Sequence, residues 1–182
     1  MKDLSMHMLD IAQNSITANA TMLYIEINEN NNQNLYSITI KDNGIGMSQD
    51  LLTSSLDPFF TTRKTRKVGL GIPLLKQNCE RTGGNFLIDS TVGAGTTVKA
   101  EFIRSHPDFM PIGDLSGTIV LLTAANPEIS FKYLHITKKG QYLYDTNEIL
   151  KVLDGVSVNE PTVRNFLKEM INENLKEIEI SK

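Results

Sequence analysis

Polar and apolar residues alternate along four segments of the first 103 residues, and a period of two predicts β-strands. The predicted strands cover residues 21–29, 35–41, 85–90 and 96–103. Two other segments repeat apolar residues every three or four positions, which predicts helices. One helix covers residues 3–18, and the other follows residue 72 and ends at the glycines 83 and 84. A short helix is predicted after Ser48, which can cap it.

The pattern changes after residue 103, because residues 106–111 contain two prolines and predict a linker. Further elements are expected at 114–126 (helix), 129–136 and 141–144 (hairpin), 146–153 (helix) and 159–178 (helix). Asp114 and Thr146 are the predicted caps of their helices. The apolar face expected in the last helix consists of Val163, Phe166, Leu167, Met170, Ile171 and Leu175.

The chain therefore divides into residues 1–104 and residues 105–182. The second part is either a small α+β domain or an extension that packs on the first sheet. It carries no recognisable catalytic pattern, and we expect it to select a partner.

Composition and charge argue against some classes of protein. The chain has 182 residues and a net charge of −3, which disfavours a protein that binds nucleic acid mainly by charge. No apolar run is long enough to cross a bilayer, and the polar N-terminus is not typical of a signal peptide. The single Cys79 cannot form an internal disulfide, which fits a cytoplasmic protein.

The stretch from Asp42 to Met47 directly follows an alternating strand and contains Gly44 and Gly46. Glycines allow close approach of the backbone, and a carboxylate beside them can accept a hydrogen bond from an amine. These are the components of a pocket for a flat, nitrogen-rich ring. The alternative interpretation is a hairpin turn, in which the same residue types are common.

Four polar residues share one face of the first predicted helix: Asp3, His7, Asp10 and Asn14. An ordinary solvated helix face would look the same. The functional interpretation is that Asn14 offers an amide oxygen to Mg²⁺ while Asp10 accepts a proton from a nucleophile.

A segment without clear period, residues 57–67, combines hydroxyl groups with four cations that can meet phosphate oxygens. It leads through Gly69 and Gly71 into a helix, and a glycine turn at a helix N-terminus is a ready anion site. The six-residue dinucleotide pattern and the P-loop lysine are both missing.

Taken together, these motifs resemble those of the Bergerat-fold (GHKL) ATPase superfamily, in particular its histidine-kinase-like ATP-binding domains, over about residues 4–103. The superfamily includes DNA gyrase, MutL proteins, histidine kinases and anti-sigma-factor kinases. The resemblance implies an α/β (α+β) two-layer sandwich in which helices cover one face of a mixed sheet. The matching segments are Asp10 to Asn14, Asp42 to Met47, Pro58 to Thr62, Gly69 to Ile72 and Gly93 to Thr97.

The resemblance also implies a role for individual residues. Asn14 would hold Mg²⁺, Asp10 would be the general base, Asp42 would bind the adenine amino group, and Thr96 would reach the adenine side. The other implied nucleotide contacts are Gly44, Gly46, Met47, Phe60, Thr61, Thr62, Lys64, Gly69, Leu70, Gly71 and Ile72. Residues 60–68 would form a lid that ATP orders.

Two features depart from the pattern of histidine kinases. Thr17 stands where those proteins usually carry a basic residue. The first motif begins at the tenth residue, so we expect no preceding phosphoacceptor-histidine hairpin. His7 lies within the nucleotide-site helix, and we expect it to be a supporting or surface histidine.

The expected function is that of a cytoplasmic signal-transduction protein that binds ATP and Mg²⁺. It would use the γ-phosphate as a trans-acting protein kinase or as an ATPase. The alternative is a non-catalytic module whose partner binding is gated by ATP. The expected partner or substrate is a protein rather than nucleic acid or membrane. The oligomeric state is undecided, and a homodimer is possible.

Overall fold

The computed structural model describes residues 1–57 and 70–178 of the chain. The elements within these residues are α1 (Leu4–Thr17), β1 (Met22–Asn30), β2 (Leu35–Asp42), α2 (Gln49–Ser55), α3 (Gly71–Arg81), β3 (Phe86–Thr91), β4 (Gly95–Ile103), α4 (Leu115–Ala125), β5 (Ser130–Ile136), β6 (Gln141–Asp145), α5 (Thr146–Leu153) and α6 (Pro161–Ile178). Each predicted helix and strand is present, with ends that differ by one or two residues.

The strands form one sheet in the order β3-β4-β2-β1-β5-β6. Strand β1 pairs in parallel with β5, whereas the other neighbouring strands pair antiparallel. The predicted mixed sheet is therefore confirmed. Parallel pairing of β1 and β5 requires the chain to cross over the sheet between them. Helix α1 packs against β2 and lies beside both α3 and α4, and α3 packs against β3 and β4.

The alternation of the central strands has the expected physical meaning, since one set of side chains is buried and the other is not. The buried set includes Leu23, Ile25, Ile27, Tyr36, Ile38, Ile40, Val98, Ala100 and Phe102. Residues on the opposite face are half-buried or exposed. Burial of one face of the sheet against helices is the main source of stability in such a sandwich.

The N-terminus of α1 is held by the segment that follows β4. The backbone N–H groups of Leu4 and Ser5 donate to the carbonyls of Pro111 and Ile112, both at 2.9 Å. A Cβ on Gly113 would lie 2.4 Å from Ser5 Oγ, so only glycine fits this approach. The C-terminal part of the chain thereby fixes the helix that carries Asp10 and Asn14.

Strands β5 and β6 continue the sheet of the first 104 residues. A partly buried contact also joins the two parts, since His135 Nε2 on β5 lies 2.9 Å from Glu29 Oε1 on β1. Arg104 forms an ion pair with the same carboxylate. Burial alone would raise the pKa of Glu29, but the hydrogen bond from His135 and the charge of Arg104 hold it below its usual value.

Two details of the C-terminal part differ from expectation. The N-cap of α5 is Asp145, whose carboxylate accepts from Asn147 N, and Thr146 instead turns its hydroxyl toward the backbone of Phe131. The predicted apolar face of α6 is only partly core, because Phe166 is 61% exposed and lies outside it. Leu167 and Ile171 are the α6 side chains that are buried. No helix among the described residues is long and apolar enough to cross a membrane.

Candidate functional site

Asp42 is the last residue of β2, and its carboxylate is buried with 6% exposure. Its Oδ1 accepts from the backbone N–H groups of Gly44 at 2.9 Å and of Thr96 at 3.1 Å. Its Oδ2 accepts from the hydroxyl of Ser15 at 2.5 Å. A carboxylate has room for about four hydrogen bonds. Three donors therefore fix its orientation and leave capacity for one more.

The glycines after Asp42 allow this loop to pack against its neighbours. The N–H of Ile45 donates to the carbonyl of Ala18, which ends α1, and a Cβ on Gly44 would lie 2.7 Å from that oxygen. Gly46 has a φ of +66°, and a Cβ there would lie 2.0 Å from the carbonyl oxygen of Thr91. Both glycines are thus required by close backbone contacts that hold Asp42 in place.

Ser90, near the end of β3, completes this end of the site. Its hydroxyl accepts from the N–H of Met47 at 2.9 Å, donates to the carbonyl of Gly95 at 3.0 Å and lies 2.8 Å from Thr96 Oγ1. The predicted residues Met47 and Thr96 are therefore brought together with Asp42. Sequence reasoning missed Ser15 and Ser90, because a single hydroxyl residue carries no pattern of its own.

The polar face of α1 is not a solvated face. Asp3 caps the helix by accepting from Met6 N at 2.9 Å, His7 is 1% exposed, and Asp10 and Asn14 are half-buried. A surface position for His7 is therefore wrong. The face turns toward α3, which packs beside α1.

The carboxylate of Asp10 lies against the first residue of α3. A Cβ on Gly71 would be 1.8 Å from Asp10 Oδ2, so no other residue fits at position 71 unless Asp10 moves. The first N–H groups of a helix lack intrahelical partners and carry partial positive charge. The structure therefore places Asp10 beside the end of α3 that suits an anion.

Two turns further along α3, Asn78 contacts α1. Its side-chain amide nitrogen lies 2.9 Å from His7 Nε2. Burial lowers the pKa of His7 to about 4, and the N-terminal charge acts in the same direction, while Asp10 and Asp3 oppose the shift. His7 is therefore neutral near pH 7 and accepts from Asn78, which places the ring proton on Nδ1.

Helix α1 connects the two ends of this site. Ser15 donates a hydrogen bond to Asp42 at one end, and Asp10 meets α3 five residues earlier, a rise of about 7.5 Å along the helix. Half-buried Ile72 packs against the core and Leu70 is 42% exposed. The predicted nucleotide contacts Phe60, Thr61, Thr62, Lys64 and Gly69 lie outside the described residues, as does the predicted lid.

Comparison with known proteins shows which family of sequences and which fold the chain is similar to. The sequence profile of the histidine kinase-, DNA gyrase B- and HSP90-like ATPases matches residues 2–106. A sensor protein of Shewanella frigidimarina is 32% identical over 103 residues, which are 56% of this chain and 16% of that protein. The sensor kinase CckA of Brucella abortus is 41% identical over 61 residues, 33% of this chain and 6% of the kinase. The chain thus spans less than a fifth of either relative.

A solved structure extends the similarity of fold past residue 106. The MutL ATPase domain of Aquifex aeolicus, complexed with ADP, superposes with a TM-score of 0.52 at 15% identity. The match covers 93% of this chain and 70% of that domain. The expected Bergerat-type sandwich is confirmed by this likeness of fold.

Proposed function

The chain belongs to the histidine kinase-, DNA gyrase B- and HSP90-like ATPase family, and we propose that it binds ATP with Mg²⁺ and uses the γ-phosphate. The acceptor would be a protein side chain, as in a trans-acting kinase, or water, as in an ATPase. The observation that carries the proposal is the contact of Asp10 with the first residue of α3. It places an acid beside a helix N-terminus that suits phosphate.

At the adenine end, Asp42 has the role of acceptor for the exocyclic amine. Its carboxylate already accepts from Ser15, Gly44 and Thr96, so its orientation is fixed before a ligand arrives. Because an ionised carboxylate only accepts hydrogen bonds, it favours a ring with an amine at that place over one with a carbonyl. Asp42 therefore favours adenine over guanine, which has a carbonyl at the corresponding position.

We assign Asn14 as the protein ligand of a Mg²⁺ ion that is held together with a nucleotide. Within the described ranges, no three His, Cys, Asp or Glu side chains are grouped as a metal cage. Mg²⁺ in nucleotide sites uses one or two protein oxygens and takes its other ligands from phosphates and water. Asn14 supplies such an oxygen. When bound, Mg²⁺ neutralises charge on the β- and γ-phosphates.

At the phosphate end, the chain supplies positioning and a base. The N–H groups of Gly71 and Ile72 at the start of α3 would bind phosphate oxygens, and Asp10 would orient and deprotonate the attacking hydroxyl or water. Gly71 lets the acid and the helix end approach without a side chain between them. We assign this reaction to the cytoplasm, in keeping with the single, buried, unpaired cysteine.

Incubation of the purified protein with γ-labelled ATP and cell lysate tests the proposal. Labelled protein indicates a kinase, released phosphate an ATPase, and unchanged ATP neither. Asp10→Asn should bind ATP nearly as well as wild type, with turnover reduced by about 10²–10⁴-fold. Turnover that persists undiminished in Asp10→Asn would place the chemistry elsewhere.

A second function, an ATP-gated binding module, is favoured by the way the C-terminal part holds α1. The carbonyls of Pro111 and Ile112 bind the first N–H groups of the helix that carries Asp10 and Asn14. A shift of α1 on ATP binding would therefore reach α4 and a protein partner bound there. This function predicts nucleotide-dependent partner binding with negligible turnover in both wild type and Asp10→Asn.

A further inference from the structure

We propose that His7 is a positioning residue that sets the place of α3 against Asp10 through its hydrogen bond to Asn78, and so controls recognition of the phosphates. The inference rests on the proposed function, because it assigns the N-terminus of α3 to phosphate. It predicts that His7 governs affinity for the triphosphate part of the ligand and has little influence on adenine.

The first argument is the geometry of two contacts between the same helices. Asp10 meets Gly71, while His7, nearly one turn earlier in α1, meets Asn78, about two turns later in α3. The helices therefore run alongside each other in opposite directions. One contact could act as a pivot, but two contacts fix both the separation and the slide of α3 along α1.

The second argument is the small tolerance at the phosphate end. Ordinary contact of a Cβ begins at 3.4 Å, whereas a Cβ on Gly71 would lie only 1.8 Å from Asp10 Oδ2. The two elements are thus closer than any side chain on α3 would permit. A slide of α3 on the order of 1 Å would change how its N–H groups and Asp10 face a common ligand, and catalytic arrangements are sensitive to that distance.

The third argument is the chemistry of His7 itself. The ring is 1% exposed and lies on a helix whose neighbouring residues Met8 and Ile11 are buried and apolar. Its Nδ1 is buried and has no hydrogen-bond partner among residues 1–57 and 70–178. An unpaired buried nitrogen is unfavourable, so an apolar side chain would fill this space at lower free energy. What the ring adds is the directed bond to Asn78.

The adenine end is built without this contact. Asp42 is held by Ser15, Gly44 and Thr96, which belong to α1, the loop after β2 and β4, and none of them lies on α3. Displacement of α3 therefore leaves the acceptor for the amine in place. This separation gives the inference a selective readout.

The experiment is calorimetric titration of wild type, His7→Leu, Asn78→Leu and the double variant with Mg²⁺ and a non-hydrolysable ATP analogue, and separately with adenosine. His7→Leu should weaken binding of the analogue by about tenfold, as loss of one oriented hydrogen bond implies. Adenosine affinity should change less than about twofold, and the double variant should resemble the single one. Gln77→Leu, at an exposed neighbouring position, is the matched control and should bind like wild type.

His7→Gln provides a rescue, because its amide oxygen can accept from Asn78 and should restore most of the affinity for the analogue. Equal losses for the analogue and adenosine would show a general structural role and overturn the inference. Unchanged binding of the analogue by His7→Leu would overturn it as well. If wild type binds neither ligand, the proposed function fails first and the inference falls with it.

Discussion

Two glycines of the site have no space for a side chain, but the groups that occupy this space differ. Gly46 lies at the end with Asp42, which is assigned to adenine, and Gly71 lies at the start of α3, which is assigned to the phosphates. A Cβ at position 46 would lie 2.0 Å from the backbone carbonyl oxygen of Thr91. A Cβ at position 71 would lie 1.8 Å from Oδ2 of the Asp10 carboxylate. A backbone carbonyl inside a sheet cannot move without loss of its hydrogen bonds, whereas a carboxylate can rotate away.

The difference separates a rigid region from an adjustable one. At the adenine end, glycines serve the fold, since the Asp42 loop is pinned between α1 and the turn from β3 to β4. At the end assigned to the phosphates, Gly71 would serve the proposed chemistry, since it leaves space for the carboxylate of Asp10, the acid proposed to act on the ligand. The same residue type should therefore affect stability at one end and turnover at the other.

The largest effect is expected for Gly46→Ala. The substitution adds a Cβ that overlaps Thr91 and forces a side chain onto a φ of +66°. We expect a loss of unfolding free energy of roughly 4 kcal/mol, measured by urea titration. Gly93→Ala is the matched control, because Gly93 also has a positive φ, +78°, but a Cβ at this position would have no atom within 4 Å. Its cost should be only about 1–2 kcal/mol. Equal losses would contradict the role given to the contact with Thr91.

Asp42→Asn should preserve the fold and remove the adenine contact. The amide oxygen can still accept from Gly44 and Thr96, and the hydroxyl of Ser15 can turn to the carbonyl of Ile11, 3.5 Å away. The new NH₂ group would then oppose the adenine amine. ATP affinity should fall by about 2–4 kcal/mol in calorimetry, with little change in the urea midpoint. Binding within about twofold of wild type would exclude Asp42 as the adenine acceptor.

The burial of His7 predicts a pH dependence of stability. Its pKa is about 4 in the folded chain and 6.5 in the unfolded chain, so the unfolded state takes up a proton first as pH falls. Stability should therefore be complete above pH 6.5 and decline toward pH 4, by about 2–3 kcal/mol from this residue. The charges that face the ring are Asp3, Asp10 and the N-terminus.

Urea titrations of wild type and His7→Leu between pH 4 and pH 7 measure this contribution. Other groups, including Glu29, also titrate at the acid end, so the difference between the two proteins is the informative quantity. The stability of His7→Leu relative to wild type should rise as the solution becomes acidic, because only wild type loses stability by protonation of this residue in the unfolded state. A difference that is independent of pH would mean that His7 is not buried as a neutral ring.

The smallest effect on stability is expected for Gly71→Ala. The added methyl group displaces the Asp10 carboxylate, and a displaced side chain costs less than a displaced backbone. Unfolding free energy should change by less than about 1 kcal/mol, while turnover should fall by about tenfold or more. A loss of stability as large as that of Gly46→Ala would remove the distinction between the two ends.

The elements of this fold were predictable because burial of one face imposes a period of two on each strand. The order and pairing of the strands in the sheet were harder to predict. The parallel pairing of β1 with β5 joins Met22 to Ser130, and nothing in either segment encodes a partner so distant. For this reason the sequence left open whether residues 105–182 form a domain or an extension. The exposure of Phe166 was not predicted, because helical periodicity identifies an apolar face but does not show which of its residues the rest of the protein covers.

The site shows the same division. Asp42 and the α1 face were identifiable because acids, amides and glycines recur at informative spacings. Ser15 was not, since its partner lies 27 residues away and a lone serine has no pattern. For His7 the sequence left both a supporting and a surface role open, because periodicity places it on a polar face and only the structure shows that the residue is buried.

The most direct test of the central claim, that the two ends bind one ATP with Mg²⁺, is calorimetric titration with ATP in Mg²⁺ and in EDTA. Wild type should bind one ATP, and more tightly in Mg²⁺. Asn14→Ala should lose affinity in Mg²⁺ and change much less in EDTA, because its amide oxygen serves the metal. Equal loss in both conditions, or wild-type binding that ignores Mg²⁺, would contradict the account and make Asn14 a structural residue.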